Sequence, residues 1–204
     1  KNEKGRRDDE AQRKVTLKSG FWIGDTEVNR ALLTEVGETG ITYWDSKALE
    51  DAELPVRLIT HENCKAFLKK LNAKTDDLNA TLPTEAQWEY ACRAGTQGAF
   101  NDGSSCTQPD GNDPALERLG WFAGNYSTQV RKGKEKLPNA WGIYDMHGNC
   151  QERCEDWYGP YPGGSQVDPK GPPAGYHRVR RGGGSNSVAG ECRSAYRNKT
   201  TAIW

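Results

Sequence analysis

Beyond Gly95 the chain loses sustained hydrophobic periodicity, and Gly, Pro, Asn and Asp recur through to the C-terminus. A segment without a 3.6- or 2-residue repeat cannot bury one face of a long helix or strand, so much of this half must be ordered loop. Composition extends the constraint to the whole chain. Only 30 of the 204 residues are Leu, Ile, Val or Phe, while Gly and Pro number 23 and 10. Such aliphatic poverty leads to disorder when it accompanies a large net charge. Here 28 basic residues balance 28 acidic ones, and 7 Trp and 8 Tyr can each bury a large area. The expectation is one compact, loop-rich domain held by aromatic side chains.

Neutrality argues against a nucleic-acid partner, which normally meets a basic excess. No apolar run reaches the ~18 residues of a membrane span. The chain begins at Lys1 with no visible targeting segment, which is uninformative for a mature form. Residues 1–14 carry ten charged side chains without apolar periodicity and read as a charged leader or tail, with the domain following over 15–204. The six cysteines (Cys64, Cys92, Cys106, Cys150, Cys154 and Cys192) are too sparse for a disulfide-dependent miniprotein. Structural zinc is disfavoured, because only Cys150-x3-Cys154 with His147 approaches ligand spacing. Buried thiols with one or two disulfides are the expected state.

Local signals predict two helices clearly. Over His61–Leu71, Cys64, Phe67, Leu68 and Leu71 recur at helical spacing opposite Lys65, Lys69 and Lys70. Thr84-x-x-Gln87 is a capping-box pattern opening a second helix that buries Trp88 and Ala91 and ends at Gly95. Both helices read as packing elements. Asn29–Ala52 is ambiguous, with Leu32, Leu33 and Val36 forming a helix face before Gly37 and Gly40. Val15–Val28 reads as two short strands about Gly24-Asp25, and Trp121-Phe122 and Trp141–Tyr144 as short buried strands. Arg178–Arg181 reads as a strand entering Gly182–Gly184, after a Gly- and Pro-rich loop over Gly159–Gly175.

Several chemical readings fail on spacing. Gly182-Gly183-Gly184-Ser185 lacks the Lys of a phosphate loop, and position 187 is Ser, which spoils a nucleophile elbow around Ser185. Asp145, His147, Asn149, Glu152, Glu155 and Asp156 crowd one stretch. That stretch reads either as a solvated acidic turn or as a Ca²⁺ site using turn carbonyls, without EF-hand spacing.

Three blocks, Leu82–Thr96, Asn139–Asn149 and Arg178–Gly183, followed by Cys192-Arg193-Ser194-Ala195 and Arg197, resemble the formylglycine-generating enzyme (sulfatase-modifying factor) family in order and spacing. The resemblance runs from Phe21 to Arg197. It implies an α+β fold, the irregular, loop-rich C-type lectin-like fold of that family, with two helices and a small twisted antiparallel sheet. It also implies a Cys92–Cys192 disulfide, worth roughly 2–4 kcal/mol in an oxidising compartment. Asp145, Gly148, Cys150 and Glu152 match family positions that hold a structural Ca²⁺ partly through carbonyls.

The departures from the family bear on activity. Its oxidising members use a cysteine pair just after the Gly-Gly-Ser block, whereas Ser185–Glu191 contains no Cys. The resemblance therefore implies no copper-thiolate centre, no catalytic residues and no enzyme. Scattered replacements on a retained scaffold make the C-terminal quarter similar to the variable proteins of diversity-generating retroelements. There, adenine-directed mutagenic reverse transcription diversifies chosen codons. Carried onto this chain, the variable ligand-binding region is 150–204. Its candidate positions are Cys150, Gln151, Arg153, Gly184, Ser185, Asn186, Ser187, Val188, Gly190, Glu191 and Tyr196.

The implied function is non-enzymatic, receptor- or adhesin-like binding of a protein or other macromolecular ligand through this C-terminal face. Display would be extracellular or at a bacterial cell surface, with any membrane attachment, a lipid anchor included, supplied from outside this chain. One alternative is a metal- or cysteine-dependent oxidase or sulfoxide synthase of the same family, using Cys150, Cys154, His147 and His177. Another is an invariant structural interaction module. The family's final strand normally carries Gly-Phe-Arg, whereas this sequence stops at Ile203-Trp204.

Overall fold

The computed structural model describes residues 3–37, 51–125 and 129–201. Gly40 and Ile203-Trp204, used in the sequence reading, lie outside the described residues. In chain order the elements are β1 (Val15–Thr16), α1 (Arg30–Val36), α2 (His61–Lys74), α3 (Glu85–Arg93), α4 (Pro114–Leu119), β2 (Glu152–Trp157), β3 (Gln166–Val167), β4 (His177–Arg181) and β5 (Asn198–Thr201). A short 3₁₀ turn spans Ala189–Cys192. The fold is α+β, with small sheets and long ordered connections.

The helices form where local chemistry satisfies their ends. Thr84 Oγ1 accepts from the Gln87 N–H, and Gln87 Oε1 accepts from the Thr84 N–H, the capping box that the sequence predicts. Thr60 and Asn63 build the same device at α2, where the sequence reading had no cap. Asn29 caps α1, and Gly37 ends it at φ 82°. The ambiguous Leu32, Leu33 and Val36 segment is therefore helical. Asp113 caps α4, with Pro114 in the first turn. Among the described residues four helices stand where two were clear from the sequence, because α1 offered only an ambiguous face and α4 is too short to show a repeat.

The main sheet is antiparallel in the order β2-β4-β5, with Glu152 opposite Arg181 and Arg153 opposite Arg180. A register shift separates these pairs from Trp157 opposite Arg178. A second, two-stranded parallel sheet pairs β1 with β3. The strands expected around Gly24-Asp25, at Trp121-Phe122 and at Trp141–Tyr144 are irregular instead. Their backbone groups bond singly to distant loops, as from Tyr144 N–H to the Asp25 carbonyl at 2.8 Å.

Among the described residues three apolar clusters fill the interior. One joins Trp88, Cys92, Ile143, Met146, Cys154 and Val179 between α3 and the sheet. A second centres on Phe100, Leu116, Phe122 and Cys192, and a third on Leu33, Val36 and Phe67. Among the described tryptophans only Trp88 is fully buried, and Trp22 is fully exposed. Aromatics alone therefore do not hold the domain. Arg181, Arg193 and Arg197 are buried too, paired with Glu85 and Glu10.

The charged N-terminal segment is docked from residue 3 onward. Buried Arg193 grips Glu10 through two bonds of 2.7 and 2.8 Å and donates to the Gly5 carbonyl. Arg7 reaches the Tyr196 hydroxyl at 3.1 Å, and Tyr158 donates to Asp9. A segment without apolar periodicity can still bury when a desolvated guanidinium needs its carboxylates.

Candidate functional site

The Asp145–Asp156 stretch is not a solvated turn. Asp145, His147, Asn149 and Asp156 are buried, and β2 begins inside the stretch. The backbone is left-handed at Asp145, Gly148 and Asn149 (φ 59°, 100° and 56°). At Gly148 a Cβ would stand 2.2 Å from the Trp121 carbonyl oxygen, so only glycine lets the turn press against that strand of backbone. Asn149 then pins four segments together. Its side chain bonds Arg131 N–H, the Arg131 carbonyl and Glu27, and its backbone bonds Trp121 and Ser185.

A cavity of about 1040 Å³ opens beside this turn. Six of the eleven candidate binding positions line it: Cys150, Gln151 and Arg153 from one chain segment, and Gly184, Ser185 and Asn186 from another. The sheet brings the two segments together, because Glu152 and Arg181 are register partners immediately before the loop that carries 184–186. Helix α2 adds Cys64 and Phe67, and residues 21–28 add further wall. A second cavity, of about 1130 Å³ near Tyr90, Trp141 and Tyr161, is lined by none of the eleven.

The other five candidates do not line that cavity. Ser187 is buried, and its carbonyl accepts from Ala123. Gly190 bonds the Pro109 carbonyl. Tyr196 is buried, and its hydroxyl meets Arg7 and Glu191. Val188 is exposed. The chain doubles back at Ser187, and the 3₁₀ turn packs onto the Pro109 loop, so sequence neighbours separate in space.

Carboxylates from three segments influence one another at the turn. Glu27 accepts from the Cys150 N–H and the Asn149 amide, each at 2.8 Å. Burial, then Asp145 and Glu152, push its carboxyl well above the ordinary range. Burial raises Glu152 to about 7, although Trp88 donates to it at 2.8 Å. Asp145 is also raised by burial. Its Oδ2 accepts from Thr26 and Lys134, but its Oδ1 is buried with no hydrogen-bond partner. Among the described residues no three His, Cys, Asp or Glu side chains converge as a metal group. A cation at Asp145 and Glu152 would therefore need oxygen donors beyond these two carboxylates, of which Asp145 Oδ1 is unpartnered.

All six cysteines are free, so the Cys92–Cys192 disulfide is absent from this structure. The two belong to different apolar clusters, and the His147 ring lies between them. Its Nε2 stands 3.8 Å from Cys92 Sγ, and its Nδ1 lies 2.7 Å from the Cys192 carbonyl. The Cys192 sulfur instead meets Gly183, where a Cβ would come within 2.6 Å of it. Burial pushes the Cys92 thiol up to about 12 and the Cys150 and Cys154 thiols well above the usual range.

Nor do the residues named for the oxidase alternative meet. Cys150 lines the cavity, Cys154 lies in the Trp88 cluster, and His147 bonds Asn101 and Cys192. His177 opens β4 opposite Thr201, at the end of the sheet away from Glu152 and Arg181.

Sequence reasoning missed Glu27, Arg57 and Arg180, which also line the cavity. Glu27 and Arg57 sit in segments with no motif. Arg180 was visible only as part of a strand, and its opposition to Arg153 depends on the register.

A loop-rich α+β frame built around a buried left-handed turn is the C-type lectin-like architecture of the sulfatase modifiers. The family model described as sulfatase-modifying factor enzyme 1-like domain matches residues 1–203, and the chain belongs to that family. A formylglycine-generating enzyme from Bos taurus is 34% identical over 145 residues, 68% of this chain and 37% of its own length. The serine/threonine-protein kinase pkn1 of Chlamydia pneumoniae is 35% identical over 122 residues, 58% of this chain and 18% of its own. The chain thus spans well under half of these relatives. Among solved structures, Treponema denticola variable protein 1 superposes with a TM-score of 0.76 at 28% identity, covering 93% of this chain and 82% of that one. PvdO from Pseudomonas aeruginosa shares the fold, with a TM-score of 0.74 at 22% identity over 98% and 82% of the two chains.

Proposed function

We propose that this chain is a non-catalytic, receptor- or adhesin-like binding protein that displays retroelement-diversified side chains around the 1040 Å³ cavity. It would work outside the cell or at its surface. The observation that carries this reading is the convergence of Cys150, Gln151, Arg153, Gly184, Ser185 and Asn186 on one concave wall from two separate segments. A diversified binder needs changeable side chains on a backbone fixed by other residues. Asn149, Gly148 and the β2–β4 pairing supply that fixed backbone. The likeness to a variable protein supports the same reading. Sequencing the surrounding locus tests it. A reverse transcriptase gene and a template repeat differing from codons 150–196 only opposite adenines are expected, and a locus lacking both overturns the reading.

The formylglycine-generating relatives favour an oxidase as the second reading. A thiolate centre would have to form from thiols that burial holds protonated, and Cys150 and Cys154 face different surroundings. Stoichiometric copper or iron in the purified chain would favour the oxidase.

We further propose a structural Ca²⁺ held by Asp145 and Glu152 with the Gly148 and Cys150 carbonyls. The unpartnered Asp145 Oδ1 supports it. Calcium at about 100 times its dissociation constant is expected to stabilise the fold by roughly 2.7 kcal/mol. EDTA should reverse this rise in melting temperature, and Asp145→Asn should abolish it. Identical melting in calcium and EDTA overturns the site.

A further inference from the structure

The second cavity, of about 1130 Å³, is walled by the N-terminal segment and by α3, and its charges are unevenly matched. Glu3, Glu10, Glu85 and Glu89 line it, and arginines hold all of them. Arg193 takes Glu3 and Glu10, Arg197 takes Glu85, and Arg93 and Arg181 take Glu89. Arg6, Arg13 and Lys18 also line the cavity, and among the described residues these cations form no ion pair. The Arg13 guanidinium sits 3.5 Å from the centre of the Tyr161 ring, a contact that fixes the group without using its N–H donors. One wall is an open strand edge. The Gln166 N–H bonds the Lys14 carbonyl and the Asp168 N–H bonds the Thr16 carbonyl, so β1 turns these alternate residues to β3. The backbone groups of Val15 and Leu17, both in the cavity lining, therefore point to the other edge, where no described strand pairs. Phe21, Tyr90 and Trp141 form a row in the same lining, with ring centres 6.3 and 5.0 Å apart and successive planes tilted by 57°. Tyr90 and Trp141 are each half exposed, so the row is an apolar notch and not a filled core.

We infer that this cavity is a second binding site, which takes an extended, acidic segment of a protein partner by strand addition to β1. An open strand edge is satisfied by another polypeptide backbone, because lipids and nucleic acids lack alternating amide donors and acceptors. Carboxylates of the segment pair with Arg6, Arg13 and Lys18, the charges that the chain itself leaves unmatched. An apolar side chain of the segment enters the notch between the tilted rings, with Trp141 and Tyr90 as its anchors. None of the eleven diversified candidates lines this cavity, so its partner stays the same whatever the variable wall carries. The site stands whether or not the first cavity is diversified.

The test uses the whole chain and fluorescence anisotropy with labelled peptide pools of about eight residues, in which apolar residues alternate with Asp or Glu. One control pool carries Lys in place of the acids, and another is methylated on alternate backbone nitrogens. The acidic pool is expected to bind, more weakly as salt rises, with Arg13→Gln and Trp141→Ala each weakening it about tenfold. Arg13→Lys should fall between, because it keeps the charge and loses the stacked fork. Lys170→Gln, on the exposed loop after β3, should leave binding unchanged and so exclude a net-charge effect. Circular dichroism of each variant confirms folding before titration. Gln151→Ala, in the first cavity, should also change nothing, and a loss there overturns the assignment to the second. Equal binding of the methylated pool overturns strand addition, and equal binding of the lysine pool overturns charge recognition. Binding of no pool overturns the site, as does tighter binding of a single-stranded oligonucleotide. A dimer in sedimentation that Arg13→Gln dissolves makes a second copy of this chain the occupant and overturns a separate partner. The display reading is decided apart from all of these, by the locus test.

Discussion

Replacing His147 with alanine is expected to lower the unfolding free energy by about 3–5 kcal/mol, a large fraction of the stability of a domain this size. The ring is fully buried between the two largest apolar clusters and packs edge-on against Phe100 at 5.4 Å. Its Nε2 accepts the Asn101 N–H at 2.9 Å, so Nδ1 carries the proton and donates to the Cys192 carbonyl at 2.7 Å. Alanine would leave a cavity and two buried backbone groups without partners. Urea unfolding of the two proteins measures the difference, and a loss below about 1 kcal/mol would show that the ring is dispensable.

The same ring sets a pH dependence. Burial lowers its pKa from 6.5 to about 4, so the unfolded chain binds a proton that the folded chain refuses between those values. Stability from this group is complete above pH 6.5 and is lost as the pH falls toward 4, by about 3 kcal/mol in all. Glu152 and Asp156 act in the opposite sense. Burial raises them to about 7 and about 6, so the folded chain holds protons there that the unfolded chain releases. Comparing wild type with His147→Gln from pH 7.5 to 4.5 isolates the histidine. The wild-type advantage should shrink by about 2–3 kcal/mol on acidification, whereas parallel curves would rule out the histidine as the source.

The second large effect is expected at Glu85, buried at the first turn of α3. It accepts Arg197 through Nε and Nη2 at 2.7 and 2.8 Å, and Arg181 Nη1 at 3.2 Å. Removing one partner of a buried ion pair costs about 3–5 kcal/mol, because the surviving charge stays desolvated. Glu85→Ala should reach that range by stranding Arg197, while Arg181 keeps Glu89 at 2.6 Å. Glu89→Gln should cost less, since Glu89 is part-exposed. Hydrogen exchange should report the loss first in β4 and in residues 193–197, where Arg181 also holds the Ser194 carbonyl. Unchanged protection there would mean that the network does not tie α3 to the C-terminal loops.

Local devices were legible in the sequence because they act over three or four residues. The Thr84–Gln87 box, the Cys64–Phe67–Leu71 face and the Arg178–Arg181 strand all stand in the structure. The family blocks carried the fold class, and Cys92 and Cys192, the pair the resemblance joins, are both free thiols in this structure. The expected strands at Trp121-Phe122 and Trp141–Tyr144 failed because apolar aromatics bury equally well in irregular backbone. Phe122 is fully buried in a loop, and Trp141 is half exposed.

Residue type and local spacing were enough for the fold family, for two of the four helices among the described residues, and for the absence of a cysteine pair after Gly182–Gly184. Only the tertiary structure decided which of the eleven candidate positions share a wall. It set Arg153 against Arg180, and it brought Glu27 to the Asn149 turn from 122 residues away. Register and loop packing are solved jointly by the whole chain, because each buried polar group must find its partner wherever the fold provides one.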